Sequence, residues 1–296
     1  MHAAKRSGTS VSALFDGLRR DVDHALGQIL PSAEEEPREV HAAMRYAVLS
    51  GGHRWRPILL LQTGRMYGAD LERLMSAAVG VEFGHCASII LDDMSCMDDA
   101  PMRRGKQACH AVYGDATTLL ASLKLTMLAL DHFASYGSDM GLDALARRTI
   151  CEMIDGQNRD LRSDVSVAGN GAQQQELLRQ IQGRKTGAMF RLAVLGGARI
   201  GEAPPGDLAI LSRFADALAL AYQAFDDVRD ADGTAEGEGK SAHRDGNKVT
   251  AVSVFGLDGG RRRGVRLWRH ACEELARLPG EVRPLQDTAG LICGVK

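Results

Sequence analysis

Apolar residues recur along this chain at intervals of three and four. Ala13, Leu14, Leu18, Val22, Leu26 and Leu30 form one stripe, and Val40, Met44, Ala47 and Val48 form another. Such steps return to the same side of a 3.6-residue helix, so each stripe predicts a helix with one buried face. The alternating runs of β-branched and aromatic residues that strands need are scarce, and aromatics are 5% of the chain. The fold class is therefore all-α. Gly51-Gly52, Gly68-Ala69-Asp70, Gly105, Gly137 to Gly141, Val165 to Gly171, Gly201 to Gly206 and Asp232 to Gly239 punctuate the pattern. They leave segments of roughly ten to twenty-five residues, a usual helix length. No linker, repeat or shift in composition divides them, and one domain over residues 1–296 is expected.

Composition narrows the function classes. With 296 residues, 45% of them hydrophobic, the chain can bury a substantial core. A formal net charge of −2 gives no footprint for nucleic acid. Its one basic triplet, Arg261-Arg262-Arg263, reads as a solvated loop. Six scattered cysteines without a CxxC pair read as reduced thiols. The N-terminal stretch is interrupted by charges and lacks the apolar core of a secretory signal. No run approaches the ~18 apolar residues of a membrane span. The expectation is a soluble, cytoplasmic protein.

Charge is nonetheless concentrated locally. LDDMSCMDDAPMRRG, residues 91–105, carries four aspartates followed by two arginines. On one continuous helix Asp98 would lie about 240° around from Asp92. The helix is therefore expected to end just after Asp93, with Met94 to Met97 looping out so that Asp98 swings back, and Pro101 marking irregular backbone beyond. In YQAFDDVRD, residues 222–230, the spacing of Asp226, Asp227 and Asp230 puts three carboxylates on one helix face, behind the apolar run Phe214, Ala217, Leu218, Ala221 and Phe225. Stacked carboxylates beside a core need a counter-charge. Mg²⁺ suits them, because it takes oxygen ligands and is usually completed by water and substrate phosphate. Arg103 and Arg104 suit bidentate contact with phosphate. Together these describe a site for a metal-bridged diphosphate, although either motif alone also fits an ordinary solvated acidic face.

Both motifs in this order, with RYAVLSGGHRWRP, VEFGHCASIILDD, GQNRDL, KTGAMF and GKSAHRDGNKVTAV, give the chain a pattern over about residues 40–256 that resembles the trans-isoprenyl diphosphate synthases (polyprenyl synthetases), most of all bacterial geranylgeranyl diphosphate synthases. The resemblance implies antiparallel helices around a deep central cavity, commonly in a homodimer. It implies an allylic diphosphate (dimethylallyl, geranyl or farnesyl) bound through three Mg²⁺ ions held by Asp92, Asp93 and Asp98 on one wall and Asp226, Asp227 and Asp230 on the other. Around that diphosphate it places Arg103, Lys185, Thr186, Gln223, Lys240 and Lys248. Isopentenyl diphosphate would occupy a basic pocket of Gly52, His53, Arg56, His85 and Arg104. Gln157 and Asp160 would brace the metal site, Asp160 being counted with the metal residues. One departure stands out: the family usually has lysine where this chain has His53, a shorter group that is mostly neutral at pH 7.

The resemblance further implies that product length depends on residues four and five before the first aspartate, here Ser88 and Ala87. Neither is bulky, and Gly84 and Gly80 follow on the same face, which points to a twenty-carbon product; fifteen-carbon and longer products stay open. Phe83, or Met127, Leu128 and Leu130 of a neighbouring helix, would supply the floor. Close helix packing is the competing account of Gly80 and Gly84. A class I terpene cyclase shares the acidic motifs but has no use for the GGHRWRP pocket and Arg104. A silent regulatory subunit would not need both acidic motifs intact.

Overall fold

The computed structural model describes residues 11–233 and 248–295. The two predicted stripes form α1 (Val11–Ile29) and α2 (Arg38–Leu49), with Leu18, Val22, Leu26, Met44 and Val48 buried. Next come α3 (Trp55–Met66) and α4 (Leu71–Asp92), whose N-cap Asp70 accepts a hydrogen bond from the Arg73 amide at 2.7 Å. A short hairpin, β1 (Met102–Arg103) and β2 (Lys106–Gln107), leads to α5 (Cys109–Ala134) and α6 (Leu142–Leu161). α7 (Gly171–Ile181) runs through a π-helical turn (Gln182–Thr186) into α8 (Gly187–Ile200). The long α9 (Pro205–Asp232), α10 (Ala251–Leu275) and α11 (Arg283–Cys293) follow.

Helix α4 is the axis of this bundle, packed against α3, α5 and α8, and α9 pairs with α10. The core runs continuously from Phe15 to Ile292, with Phe83, Phe133, Phe190 and Phe214 its largest fully buried side chains. A satellite cluster of Leu178, Ile181, Ala224, Val249 and Ala251 closes the end where α7, α9 and α10 meet. Close approach of α3 and α8 depends on Gly197, since a Cβ there would stand 3.0 Å from the Gly64 nitrogen and the Leu60 carbonyl carbon.

Two expectations need correction. By length and composition, α4 (18-residue mean hydropathy 1.6) and α9 (1.2) are apolar enough to cross a membrane. Both pack against neighbouring helices, and each ends in an acidic cluster. The arginine triplet 261–263 is not in a loop; it lies within α10, where Arg261 pairs with Asp232 at 2.8 Å.

Candidate functional site

The first acidic motif folds back as its spacing requires. α4 stops at Asp92, and the Asp98 amide donates to the Asp92 carbonyl at 3.0 Å while the Asp99 amide donates to Met94 at 2.9 Å. Asp92 and Asp98 thereby line one large chamber of about 1010 Å³, and Asp226, Asp227 and Asp230 at the end of α9 line it too. The two clusters converge, which removes the reading of two separate solvated faces. Asp93 departs from expectation. The next 100° step of the helix turns its carboxylate away from the chamber, where it is almost fully buried and grips the Arg103 guanidinium through both oxygens, Nε to Oδ2 being 2.9 Å.

The paired arginines are separated by the hairpin, an element that the sequence pattern did not predict. Arg104 and Gly105 both have positive φ, 53° and 73°, as a two-residue type I′ turn requires. Arg103 consequently reaches Asp93, whereas Arg104 donates to the Gly51 carbonyl. A Cβ on Gly52 would stand 2.7 Å from the Arg104 guanidinium carbon, so this position must lack a side chain for Arg104 to lie where it does.

Opposite Asp92, the π-turn aims Lys185 into the chamber. Lys185 Nζ donates to Asp92 Oδ1 at 3.1 Å and to Asp160 Oδ2 at 2.7 Å; Lys248 Nζ donates to Asp98 Oδ1 at 2.9 Å and lies 3.7 Å from Asp160 Oδ2. Burial pulls the Lys185 ammonium down, but Asp92 and Asp160 outweigh it and hold it above its ordinary value. Asp92 mirrors this: burial opposes ionisation, yet Lys185 and Gln157, which donates at 2.5 Å, keep the carboxyl below its ordinary value. Thr186 donates to Gln223 at 2.9 Å, and Gln223 donates to Asp227 at 2.9 Å. Burial raises Asp227 to about 7 even though the Gln223 side chain and the Ala251 amide donate to it. Lys240 lies outside the described residues.

Gly156 sets the spacing between α6 and the π-turn. A Cβ there would be 2.8 Å from the Lys185 Cα and the Arg184 carbonyl carbon, which are backbone atoms that cannot give way. Gly156→Ala is expected to cost about 1–3 kcal/mol of stability. By shifting Lys185 from Asp92 and Asp160 it should also lower kcat about 10²-fold. Thermal unfolding and steady-state kinetics check the two effects.

Beside the acidic wall lies a basic recess. Gly52, His53, Arg56, His85 and Arg104 all line the chamber, joined by Arg54, which the motif reading passed over. The His53 ring stacks on Trp55 with centroids 4.7 Å apart. Arg56 donates to His85 Nε2 at 3.0 Å and lies 5.1 Å from the Phe190 ring centroid. Burial, reinforced by Arg56 and Arg104, lowers the His85 pKa well below its ordinary 6.5, so the ring is a neutral acceptor. The unfolded chain takes up a proton near pH 6.5 while the folded one does not, so the stability His85 contributes is present above that pH and lost as pH falls below it. His85→Gln, which keeps an acceptor, should remove roughly 1 kcal/mol of the acid-induced loss between pH 7.5 and 5.5. Tm measured across that range is the check.

Below the charged mouth the wall becomes apolar. Gly84 and Ser88 of α4 line it, with Leu123 and Thr126 of α5, Ile150, Met153 and Ile154 of α6, and Met189 of α8. Ala87 does not: it is buried on the α5 side, where Ser122 donates to its carbonyl at 3.0 Å. The expected floor is also corrected. Phe83 points into the core against His132, ring centroids 5.7 Å apart, and Met127 is half exposed on the outside of α5. Leu128 and Leu130 pack against the core, outside the chamber lining. Gly80 is closed by packing, as the competing account held, with Phe133 Cε2 only 3.1 Å from where its Cβ would be.

Among the described residues no three His, Cys, Asp or Glu side chains close on a common point. That is compatible with Mg²⁺, which needs only one or two carboxylates alongside water and phosphate. The donor set fits it: carboxylate oxygens of both acidic clusters line one chamber, and the Lys185 and Lys248 ammonium groups, paired with Asp92, Asp98 and Asp160, add positive charge beside the first cluster.

The Polyprenyl synthetase family model matches residues 37–273. The chain belongs to this family. It is 35% identical over 266 residues to geranylgeranyl pyrophosphate synthase 6, mitochondrial, of Arabidopsis thaliana, covering 86% of this chain and 79% of that one. Its identity to the chloroplastic geranylgeranyl pyrophosphate synthase of Capsicum annuum is 32% over 247 residues, 81% of this chain and 67% of the relative. Among solved structures, an FPP/GFPP synthase of Zymomonas mobilis superposes with a TM-score of 0.80 at 28% identity, covering 96% of this chain and 98% of the other. A geranyltranstransferase of Thermotoga maritima gives 0.77 at 26%, covering 94% and 96%.

Proposed function

We propose that this chain is a Mg²⁺-dependent geranylgeranyl diphosphate synthase that adds isopentenyl diphosphate to dimethylallyl, geranyl and farnesyl diphosphates. The observation that carries the reading is the convergence of two acidic clusters at the mouth of one chamber, with a separate arginine-rich recess beside them and an apolar wall below. Asp92 and Asp98 on one side and Asp226 and Asp230 on the other would hold the ions, three in number, while Asp160 orients Lys185 and Lys248. When bound, Mg²⁺ supplies the charge that the departing diphosphate needs. Lys185 and Arg103 add fixed positive charge where negative charge develops as the allylic C–O bond breaks. The recess presents isopentenyl diphosphate so that its double bond attacks the allylic carbon, and the proton lost from the new unit passes to the released diphosphate. The apolar wall keeps water from the cation.

Two further parts of the reading rest on features other than the acidic clusters and the recess. Leu119, Leu120 and Met127 form an exposed apolar patch on α5 that suits burial against a second copy, making a homodimer. Six free cysteines favour a reducing compartment such as the cytoplasm.

Purified protein incubated with Mg²⁺, isopentenyl diphosphate and each allylic primer should yield a twenty-carbon alcohol after dephosphorylation. Formation of a cyclic hydrocarbon, or no elongation from any primer, would sink the proposal. His53→Lys places a permanent charge in the recess and should lower the KM for isopentenyl diphosphate; an unchanged or higher KM would remove His53 from that role.

A further inference from the structure

Resting on the reading of the chain as an elongating prenyltransferase, we propose that Met189 is the stop for tail growth. Going down α4 from Asp92, Ser88, Gly84 and Gly80 lie one, two and three turns deeper, or about 6, 12 and 18 Å by the helical rise. The chamber reaches the second of these positions and not the third. At Gly80 an added Cβ would meet His132 Cβ at 3.0 Å, Phe133 Cε2 at 3.1 Å and the Ala129 carbonyl oxygen at 3.2 Å, so α4 and α5 are sealed there by backbone and a buried ring. At Gly84 the nearest atoms would be Met189 Cε at 3.7 Å and Ala129 Cβ at 3.8 Å. The end of the Met189 side chain therefore abuts the α4 face at Gly84 at ordinary van der Waals distance, facing the chamber that both residues line.

Of the atoms at these two levels, Met189 Cε is the one that can move without shifting a helix. Methionine has three rotatable side-chain bonds, whereas the others are a backbone oxygen, two β-carbons and the ring of a fully buried phenylalanine. Met189 is itself buried and is held at the first turn of α8, four residues after Lys185. The residue that ends the tail and the lysine that faces the diphosphate thus sit on adjoining turns of one segment. Tail length is measured between them, and Gly84 keeps the facing α4 wall bare at the level of the thioether.

The test compares product length, from dimethylallyl diphosphate and isopentenyl diphosphate, for the wild type, Met189→Ala, Met189→Phe, Gly84→Leu and Ser88→Phe, with Tm recorded for each. Met189→Ala should lengthen the main product by one five-carbon unit; Met189→Phe and Gly84→Leu should shorten it or stop growth at the primer. The proposal is overturned if both Met189 variants give the wild-type product while Ser88→Phe shortens it, since the tail would then occupy this chamber without meeting Met189. Should Met189→Ala prove unfolded by Tm, Met189→Phe and Gly84→Leu decide the matter, and wild-type product from both overturns it. A wild type that elongates no primer defeats the prenyltransferase reading itself and this inference with it.

Discussion

Asp92→Asn is expected to lower kcat by about 10²–10³-fold, the cost typical of deleting one preorganised electrostatic contact to a developing charge. The substitution is nearly isosteric. The oxygen of the new amide can still accept from Gln157, which donates to Asp92 at 2.5 Å, so the loop that returns Asp98 to the chamber keeps its anchor. What disappears is one negative charge, beside Lys185 and facing the chamber where Mg²⁺ is proposed to bind. Lys185 retains Asp160, 2.7 Å away, and the metal-free fold should lose little stability. Mg²⁺ binding should suffer instead: the rise in Tm that Mg²⁺ with inorganic pyrophosphate gives the wild type should shrink in the variant, because ligand stabilisation scales with affinity. Asp93→Asn is the informative neighbour. Its carboxylate is buried against Arg103 and not in the chamber, so the metal-free Tm should fall while the Mg²⁺ requirement stays close to wild type. If Asp93→Asn shifts the Mg²⁺ requirement and Asp92→Asn does not, the assignment of roles along this motif is reversed.

That contrast shows what was legible in the sequence. The break after Asp93 follows from helical rotation alone, as does the clustering of Asp226, Asp227 and Asp230. The direction of Asp93 does not, because it depends on a hairpin of two-residue strands whose turn is Arg104-Gly105, without the Asn or Asp that usually marks a type I′ turn. The π-turn is likewise hidden, since its extra residue is accommodated by tertiary contacts at Gly156 and not by local propensity. The product-length residues are only partly legible, because spacing from the first aspartate places Ala87 and Ser88 side by side, while the fold turns Ala87 toward α5 and Ser88 into the chamber. Met189 carries no mark in the sequence, as methionine at helical spacing reads as core. Glu82 could have been found, as a charged residue within an otherwise apolar segment, because a buried charge requires a partner; Arg54, between His53 and Arg56, does not stand out in the same way.

Those two residues carry the second large effect, which falls on stability. Arg54 is 3% exposed and Glu82 1%; Arg54 Nη1 lies 2.5 Å from Glu82 Oε1, its Nε 2.7 Å from Asp23 Oδ1, and its Nη2 donates to the Val48 carbonyl at 2.7 Å. One guanidinium therefore ties α1, the end of α2 and the middle of α4 together at the point where the Gly51-Gly52 turn enters the recess. Burial opposes the charge on Arg54, but Glu82 and Asp23 outweigh it and keep the group firmly protonated. Arg54→Met keeps the aliphatic stem and leaves Glu82 buried without its cation, which should cost about 3–5 kcal/mol. Adding Glu82→Gln removes the stranded charge, so the double variant should recover much of that loss, and a double-mutant cycle on chemical unfolding measures the coupling. Recovery of stability without recovery of the KM for isopentenyl diphosphate would locate a second role for Arg54 in the recess that it lines. Additive losses would mean that the pair is not coupled, and that the turn carrying Gly52 and His53 is held by some other contact.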